Sequence, residues 1–290
     1  MRIWPIIKEA VLLPWNRRQH FWPLLALPVV LSTLLSLCDY WLLTDVSRNV
    51  SVLVRILMWI SNALIFSFFA VSCHRSILIG EHSVPRFGIP GWSRREFRFF
   101  LWLIVIYAIA MMFMLLASEV AIRVRDFIDT FLGKGLNELS ITLLGLKMSL
   151  DPWMWLGLIP FGYVIGRLSL LLPAIAVDLQ VSLRSVWAQS KGNGWRIALL
   201  VGWIPALFLL LEKTLAIYIQ WLIGNQFVSY TSGVYVGIFS ASEAFLRYML
   251  FTIEVAILSL SFLTLSGWHT HLVPQSTTQP LGHRYDLLSH

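Results

Sequence analysis

Long apolar runs separated by short polar segments dominate the pattern of this chain. A helix needs about 20 apolar residues to cross the hydrocarbon core of a bilayer. The runs are continuous, without the alternation of apolar and polar residues that transmembrane β-strands require. The runs that qualify are residues 21–43, 53–73, 97–117, 153–172, 195–218 and 244–267. The sequence therefore predicts an all-α fold, a polytopic transmembrane helical bundle of six spans.

Three shorter segments outside these runs carry apolar residues at helical spacing. Such stripes are typical of amphipathic helices that lie at the membrane surface. A helix that packs on the bundle itself would show the same pattern, so both interpretations stay open. The stripes consist of Ile6, Ile7, Ala10 and Val11; of Val120, Val124, Phe127, Ile128 and Phe131; and of Leu183, Val186, Trp187 and Ser190.

The overall composition agrees with a membrane location. Of the 290 residues, 58% are hydrophobic and 13% are charged, whereas a soluble domain carries about 25% charged residues. A soluble chain of this length could not bury so much apolar surface in one core. The 14 Trp and 8 Tyr fit aromatic belts at the level of the lipid headgroups.

The distribution of Lys and Arg predicts the orientation of the chain. Basic residues are concentrated in the N-terminal segment and in the loops at 74–98 and 184–196. Because cytoplasmic loops collect Lys and Arg, six spans would place both termini in the cytoplasm. We interpret the net charge of +7 as a sign of topology and anionic lipid, and not of nucleic-acid binding. The candidate headgroup contacts are Arg75, Arg94, Arg95, Trp187, Lys191, Trp195 and Arg196.

The runs and their loops are predicted to form a single membrane domain, residues 1–268. Residues 269–290 are rich in Ser, Thr, Gln and Pro, and we expect a flexible cytoplasmic tail or an arm that orders on a partner. The two cysteines, Cys38 and Cys73, lie in or beside apolar runs without CxxC spacing. A disulfide framework is therefore not indicated.

Turn signals cluster after the fourth apolar run. Pro173 predicts that the helix kinks or ends near it, because proline cannot continue the backbone hydrogen-bond ladder. Asp178 or Ser182 can cap a short helix that follows. Gly192 and Gly194, which flank Asn193, allow a tight turn back into the membrane. The sequence thus predicts an elbow between the fourth and fifth spans.

A weak internal repeat accompanies these signals. The segment around Arg75, CHRSIL, echoes the segment around Arg167, GRLSLL. Successive two-span hairpins in parallel repeat would produce this similarity. The general enrichment of Trp and Arg at inner membrane boundaries would produce it as well, and the two explanations stay open.

A more specific pattern extends from Arg167 to Arg196. The segment reads RLSLLLPAIAVDLQVSLRSVWAQSKGNGWR: an Arg, an apolar run, Pro-Ala-Ile-Ala-Val-Asp, a short amphipathic helix, and Trp-x-x-Ser-x-Gly-Asn-x-Trp-Arg. It resembles bacterial multi-pass membrane proteins of the YciC-like type, and it is similar to the membrane domain attached to some bacterial glycerophosphoryl diester phosphodiesterases. The resemblance implies a six-helix bundle in a bacterial inner membrane. It implies no activity, because this sequence lacks the carboxylates and histidines of the phosphodiesterase catalytic domain.

Three ionisable residues within the runs form the candidate intramembrane polar site. A charged group inside a span is costly, so each is a functional hypothesis. Glu254 lies near the middle of the sixth run, and Arg247 lies seven residues before it. Glu254 could couple protons or cations, or it could form a structural ion pair with Arg247 or with a basic group of another helix. Arg167 lies near the inner end of the fourth run, where it could reach lipid phosphates.

No catalytic or cofactor-binding motif is present in the sequence. A P-loop, GxGxxG and GxSxG are all absent, and these are the motifs that would point to nucleotide binding or a nucleophilic serine. His269 and His271 form an H-x-H pair, but a metal site usually needs a third ligand. The sequence therefore predicts a protein that is not an enzyme and that carries no cofactor or metal.

The expected function is that of a non-catalytic accessory or scaffolding subunit of a membrane complex. Its partners would be membrane lipids and other membrane subunits or further copies of the chain. The alternative is a transporter or channel for a small solute or lipid, which needs a polar path through the bundle. A cluster of Glu254, Arg167 and Asn62 would favour transport, and a dry core would favour the subunit.

Overall fold

The computed structural model describes most of the chain as helices. The described residues are 3–43, 48–87, 93–132, 139–143, 146–150, 152–205, 207–208, 211–212, 214–215, 217–218 and 233–267. The α-helices are α1 (Ile3–Asn16), α2 (Arg18–Leu43), α3 (Arg48–Leu78), α4 (Arg94–Leu132), α5 (Pro152–Leu168), α6 (Leu171–Ala176), α7 (Leu183–Gln189), α8 (Gly194–Ile197) and α9 (Gly233–Ser266). A 3-10 turn occupies Glu81–Ser83, and a π-helical segment, Ala198–Trp203, continues α8.

Five helical segments of the described chain are long and apolar enough to cross a membrane. They are Arg18–Trp41, Val52–Leu78, Arg94–Val124, Ile159–Ala176 and Val236–Ser266. These segments overlap five of the six predicted spans, which confirms the class of a polytopic helical membrane protein. The remaining predicted span, 195–218, is described only in part, although every described residue within it is helical. The predicted tail, 269–290, lies outside the described residues.

The helix that contains the third span is longer than the predicted span. The sequence suggested a span at 97–117 and a separate surface helix over 120–131. In the structure both belong to α4, which continues without interruption to Leu132. No glycine or proline separates the two segments, and the first helix breaker after them is Gly133. A helix propagates where no residue interrupts its hydrogen-bond ladder.

A short hairpin is an exception to the predicted all-α fold. Strand β1 (Leu139–Leu143) pairs antiparallel with β2 (Leu146–Leu150), with Thr142 opposite Lys147. Both strands read as alternating apolar and polar residues, LSITL and LKMSL, which is the period of a strand. The signal was present in the sequence, but at five residues each the strands are minor beside the long helices.

Helices α2, α3 and α9 pack against one another and form one side of the bundle. The rings of Phe66 and Phe251 stack with centroids 3.6 Å apart, which joins α3 to α9. The Ser32 hydroxyl of α2 donates to Asn62 Oδ1 at 3.2 Å and lies 3.0 Å from the Tyr248 hydroxyl. Polar side chains thus link the three helices within an apolar interface.

Helix α1 packs on the bundle by its apolar stripe. Ile6 and Ala10 are buried in a cluster with Ala256 and Ile257 of α9. Of the two interpretations of this stripe, the structure therefore favours packing on the protein itself. Val11 of the predicted stripe is 44% exposed, so the buried face is narrower than the sequence suggested.

Helix α5 and the π-helical segment cross at unusually close range. A Cβ atom at Gly202 would lie 2.4 Å from the carbonyl oxygen of Gly162, and one at Gly166 would lie 2.8 Å from Ala198 Cα. Gly162 and Gly166 are spaced as GxxxG, a pattern that lets membrane helices approach backbone to backbone. Sequence reasoning overlooked this motif, although it stands in an apolar run.

The predicted elbow is present, and its break comes before the proline. Helix α5 ends at Leu168, and α6 begins at Leu171 and contains Pro173. Pro173 has no N–H to donate to the Ser169 carbonyl, which instead accepts from the Leu172 N–H at 2.9 Å. All six residues of α6 are buried, and α6 contacts α3, α4 and α9. The elbow is therefore a central packing element rather than a surface loop.

Candidate functional site: a basic pocket beside the elbow

Arg167 is held in the last turn of α5 by three hydrogen bonds. Its Nε donates to Ser190 Oγ at 2.7 Å, its Nη1 to the Tyr163 hydroxyl at 2.9 Å, and its Nη2 to the Trp187 carbonyl at 2.5 Å. The side chain is only 7% exposed. A charged group can be this buried because hydrogen bonds replace part of its hydration.

The guanidinium also lies over an aromatic ring. Arg167 Cζ is 3.6 Å from the centroid of the Trp187 ring and 5.5 Å from that of Tyr163. The negative face of an aromatic ring attracts a cation at this range. Two rings and three acceptors thus fix both the plane and the direction of the guanidinium.

Local sequence signals place α7 under this arginine. Ser182 caps α7, because its hydroxyl accepts from the Ser185 N–H at 3.2 Å. Of the two predicted caps, Ser182 therefore serves α7, whereas Asp178 adopts a positive φ of 62° in the turn before it. Gly192, three residues after the end of α7, has a φ of 80°, a conformation that glycine adopts without strain. Asn193 occupies the N-cap position of α8 without a side-chain capping bond.

A cavity of about 730 Å³ opens beside Arg167. We call it the elbow pocket. Its lining comprises Tyr163, Arg167, Arg184, Trp187, Ala188, Lys191, Gly192, Asn193, Gly194, Trp195 and Arg196. Four of these residues are cationic and none is acidic, so the pocket concentrates positive potential.

The elbow pocket brings together part of the predicted headgroup-binding set. Trp187, Lys191, Trp195 and Arg196 line it, together with Arg167 from the predicted intramembrane site. Sequence reasoning missed Tyr163, although it lies one helical turn before Arg167, the spacing at which helix side chains meet.

The remaining predicted headgroup contacts lie elsewhere. Arg75 Nη1 is 3.4 Å from Asp178 Oδ2, and Arg95 Nη1 is 2.9 Å from the same oxygen. Arg95 also pairs with the buried Glu96 at 2.9 Å. Arg75 and Arg95 therefore tie α3 and α4 to the elbow, and their charge is balanced within the protein. Arg94 is exposed and does not line the elbow pocket.

Arg247 belongs to a separate cluster with two glutamates. Its Nη2 is 2.8 Å from Glu243 Oε1 in the same helix, and its Nε is 3.2 Å from Glu212 Oε1. The hypothesis of an ion pair between Arg247 and Glu254 is therefore wrong. Within the described part of the chain, no hydrogen bond or ion pair of Glu254 is formed.

Among the described residues, Glu254, Arg167 and Asn62 form no hydrogen bond or ion pair with one another. Asn62 bonds Ser32 and the Met58 carbonyl, Arg167 bonds α7, and neither is bonded to Glu254. In the described chain these groups thus occupy three separate environments. A second cavity of about 400 Å³ lies between α2 and α3, and its lining is apolar apart from Cys38 and Ser61. We call it the α2–α3 groove.

The described residues do not point to a metal site. Among the residues that the structure describes, no group of three His, Cys, Asp or Glu side chains is placed to hold a metal ion. His269 and His271 lie outside those residues. No family model, curated protein or solved structure matches the chain.

Proposed function

We propose that this chain is a non-catalytic accessory or scaffolding subunit of a membrane complex, related to the YciC-like proteins that it resembles. The observation that carries the proposal is the way intramembrane polar groups are used. Arg167, Arg247 and Asn62 each bond to neighbours within their own cluster. A transport path requires polar groups that line a continuous route and exchange partners with a solute, whereas these groups hold helices together.

The proposal includes six spans, with both termini in the cytoplasm of a bacterial inner membrane. The described part of span 195–218 is helical, which supports the sixth span. The ends of α3 and α5 and the start of α4 meet on one face, where Arg75 and Arg95 reach the elbow. This face also carries the loops that are richest in Lys and Arg, and such loops stay in the cytoplasm.

The α2–α3 groove supplies a surface on which a partner helix could pack. Its apolar lining includes Leu31, Leu35, Leu64 and Phe68, and Leu34 at its edge is 51% exposed. Helices associate in lipid through close van der Waals packing. A recess between two helices gives a partner span more contact than a convex surface does.

The test combines gentle extraction with crosslinking at defined positions. A photoreactive residue replaces Leu34 in the groove, and a matched variant carries it at Leu115 of α4, which is 62% exposed. We expect the purified protein to migrate on native gels with a stoichiometric companion. We also expect that companion to be crosslinked from position 34 and not from position 115. A lone monomer or homo-oligomer in native mass spectrometry would contradict the proposal.

One observation favours the alternative, a transporter or channel. Glu254 lies within the α9 span, half-buried, without a polar partner among the described residues. A carboxylate in a span is a candidate coupling group. The alternative predicts that proteoliposomes catalyse proton or cation flux and that Glu254→Gln abolishes it. If flux is absent from the wild-type protein as well as from the variant, the alternative fails.

A further inference from the structure

We propose that the elbow pocket binds the phosphate of an anionic lipid at the basic face of the protein. The proposal is independent of the subunit function. It identifies a specific site, in contrast to a general attraction between basic loops and anionic membranes. A lipid headgroup and a soluble phosphate ester would present the same chemistry, and the structure favours the lipid.

The lining of the elbow pocket is positively charged. Arg167, Arg184, Lys191 and Arg196 contribute cations, and no acidic residue lines the pocket. The neighbouring cations Arg75 and Arg95 are instead paired with Asp178. Of these cations, Arg167, Arg184 and Lys191 form no ion pair with a described residue. An anion that enters the elbow pocket therefore meets their positive charge, and partial burial reduces the screening by salt.

The Arg167 guanidinium keeps donors that could bind an anion. An arginine has five N–H donors, and Arg167 uses one at each of its three nitrogens. One N–H at Nη1 and one at Nη2 have no partner among the described residues. Two donors on one planar guanidinium match the paired oxygens of a phosphate. Because Ser190, Tyr163 and Trp187 already fix the group, little side-chain entropy is lost on binding.

The elbow pocket adjoins exposed apolar surface. Trp187 is 40% exposed and Trp195 is 66% exposed at its rim, and Trp is enriched at the headgroup level of membranes. Leu199, one turn along from Trp195, is 47% exposed. A lipid whose phosphate occupies the pocket could lay its acyl chains on this surface, which a soluble phosphate ester would leave uncovered.

The lining residues have different roles in this proposal. Arg167 is a buried anchor whose removal would also disturb α7. Arg184 and Lys191 are exposed side chains at the mouth, so they can be changed with little effect on folding. They are therefore the positions at which binding is tested.

The experiment measures lipid retention by native mass spectrometry of the full chain in detergent. The probes are phosphatidylglycerol, zwitterionic phosphatidylcholine and soluble glycerol 3-phosphate. The test variant is Arg184→Gln with Lys191→Gln. The control is Arg94→Gln with Arg98→Gln, which removes the same charge from exposed residues outside the pocket.

We expect the wild-type protein and the control to retain phosphatidylglycerol in preference to phosphatidylcholine. Loss of two cations from the pocket should weaken that retention about tenfold, which corresponds to about 1.4 kcal/mol. Three results would overturn the proposal. They are equal weakening in the control variant, equal retention of the two lipids, and binding of glycerol 3-phosphate as tight as that of phosphatidylglycerol. The unfolding midpoint of each variant without lipid verifies that the fold is intact.

Discussion

Two arginines of this protein stabilise the ends of helices to which they do not belong. Arg75 lies in the last turn of α3 and donates from Nη1 to the carbonyl of Ala176, the last residue of α6, at 3.2 Å. Arg167 lies in the last turn of α5 and donates to the carbonyl of Trp187 in α7. Carbonyls at helix C-termini lack intrahelical partners and carry partial negative charge. A cation there is stabilising, which accounts for burying arginine beside the elbow.

Two buried serines of α9 allow a test of the contact between this helix and α3. The Ser259 hydroxyl lies 2.7 Å from His74 Nδ1, whereas the Ser261 hydroxyl is buried without a hydrogen-bond partner among the described residues. Removing Ser259 leaves the buried imidazole nitrogen without this partner. We expect Ser259→Ala to lower the free energy of unfolding by about 1–3 kcal/mol.

Ser261→Ala is the matched control. It removes a hydroxyl that forms no hydrogen bond within the described part of the chain, so we expect stability to be unchanged or slightly increased. Denaturant unfolding in detergent measures both variants. Equal effects of the two substitutions would show that the contact with His74 contributes nothing beyond the packing of the serine.

At the scale of elements, the crossing of α5 and the π-helical segment depends on glycines, which have no side chain. The space between Gly162 and Gly202 is smaller than one methyl group requires. A π-helical turn shifts the helix register by one residue. In this protein it occurs at Ala198–Trp203, the segment that lies against α5.

This crossing predicts a large effect of one methyl group. In Gly202→Ala the new Cβ would lie 2.4 Å from a backbone oxygen that cannot rotate away, so the helices must separate. We expect a loss of about 1–3 kcal/mol, as for other overpacked cores, measured as a lower unfolding midpoint in detergent.

Gly237→Ala in α9 is the control for helix propensity. Among the described residues, its Cβ would meet only Leu37 Cδ2, at an ordinary distance of 3.9 Å. Alanine is a better helix former than glycine by about 1 kcal/mol, so this variant should be neutral or more stable. If Gly202→Ala behaves in the same way, the close approach is not a constraint on the fold.

At the scale of the whole molecule, the arrangement of charge predicts which face is cytoplasmic. Gln180 lies exposed in the elbow segment, two residues after Asp178, which pairs with Arg75 and Arg95. Glu119 lies 25 residues beyond the start of α4, a rise of about 37 Å that exceeds the hydrocarbon thickness of about 30 Å. The two positions should therefore lie on opposite sides of the membrane.

Cysteine labelling tests this orientation. In a Cys38→Ser background, which removes the exposed native thiol, Glu119→Cys should react with a membrane-impermeant maleimide in intact spheroplasts. Gln180→Cys should react only after permeabilisation. The reverse pattern would invert the proposed orientation, and labelling of both positions from outside would contradict the proposed topology.

The candidate site illustrates how far sequence reasoning reached. Trp187, Lys191, Trp195 and Arg196 were recognisable because basic and aromatic residues cluster at short range along the chain. A pair of Arg247 with Glu254, one of the alternatives that the sequence left open, is not formed because seven residues of helix separate them by about 10 Å along the axis. Glu243 is one turn away, at about 6 Å, and it forms the pair that is observed.

The sequence by itself determined the class of the protein and the places where most spans lie. The hydropathy of a run and the helix breakers that bound it are local properties, and a bilayer accepts apolar helices whatever their partners. Only the tertiary structure decided which charges meet. Whether an arginine faces Asp178, two glutamates or an open pocket depends on the rotation and crossing of helices that are distant in sequence. Those depend on close packing at positions such as Gly162 and Gly202, where one methyl group changes the contact.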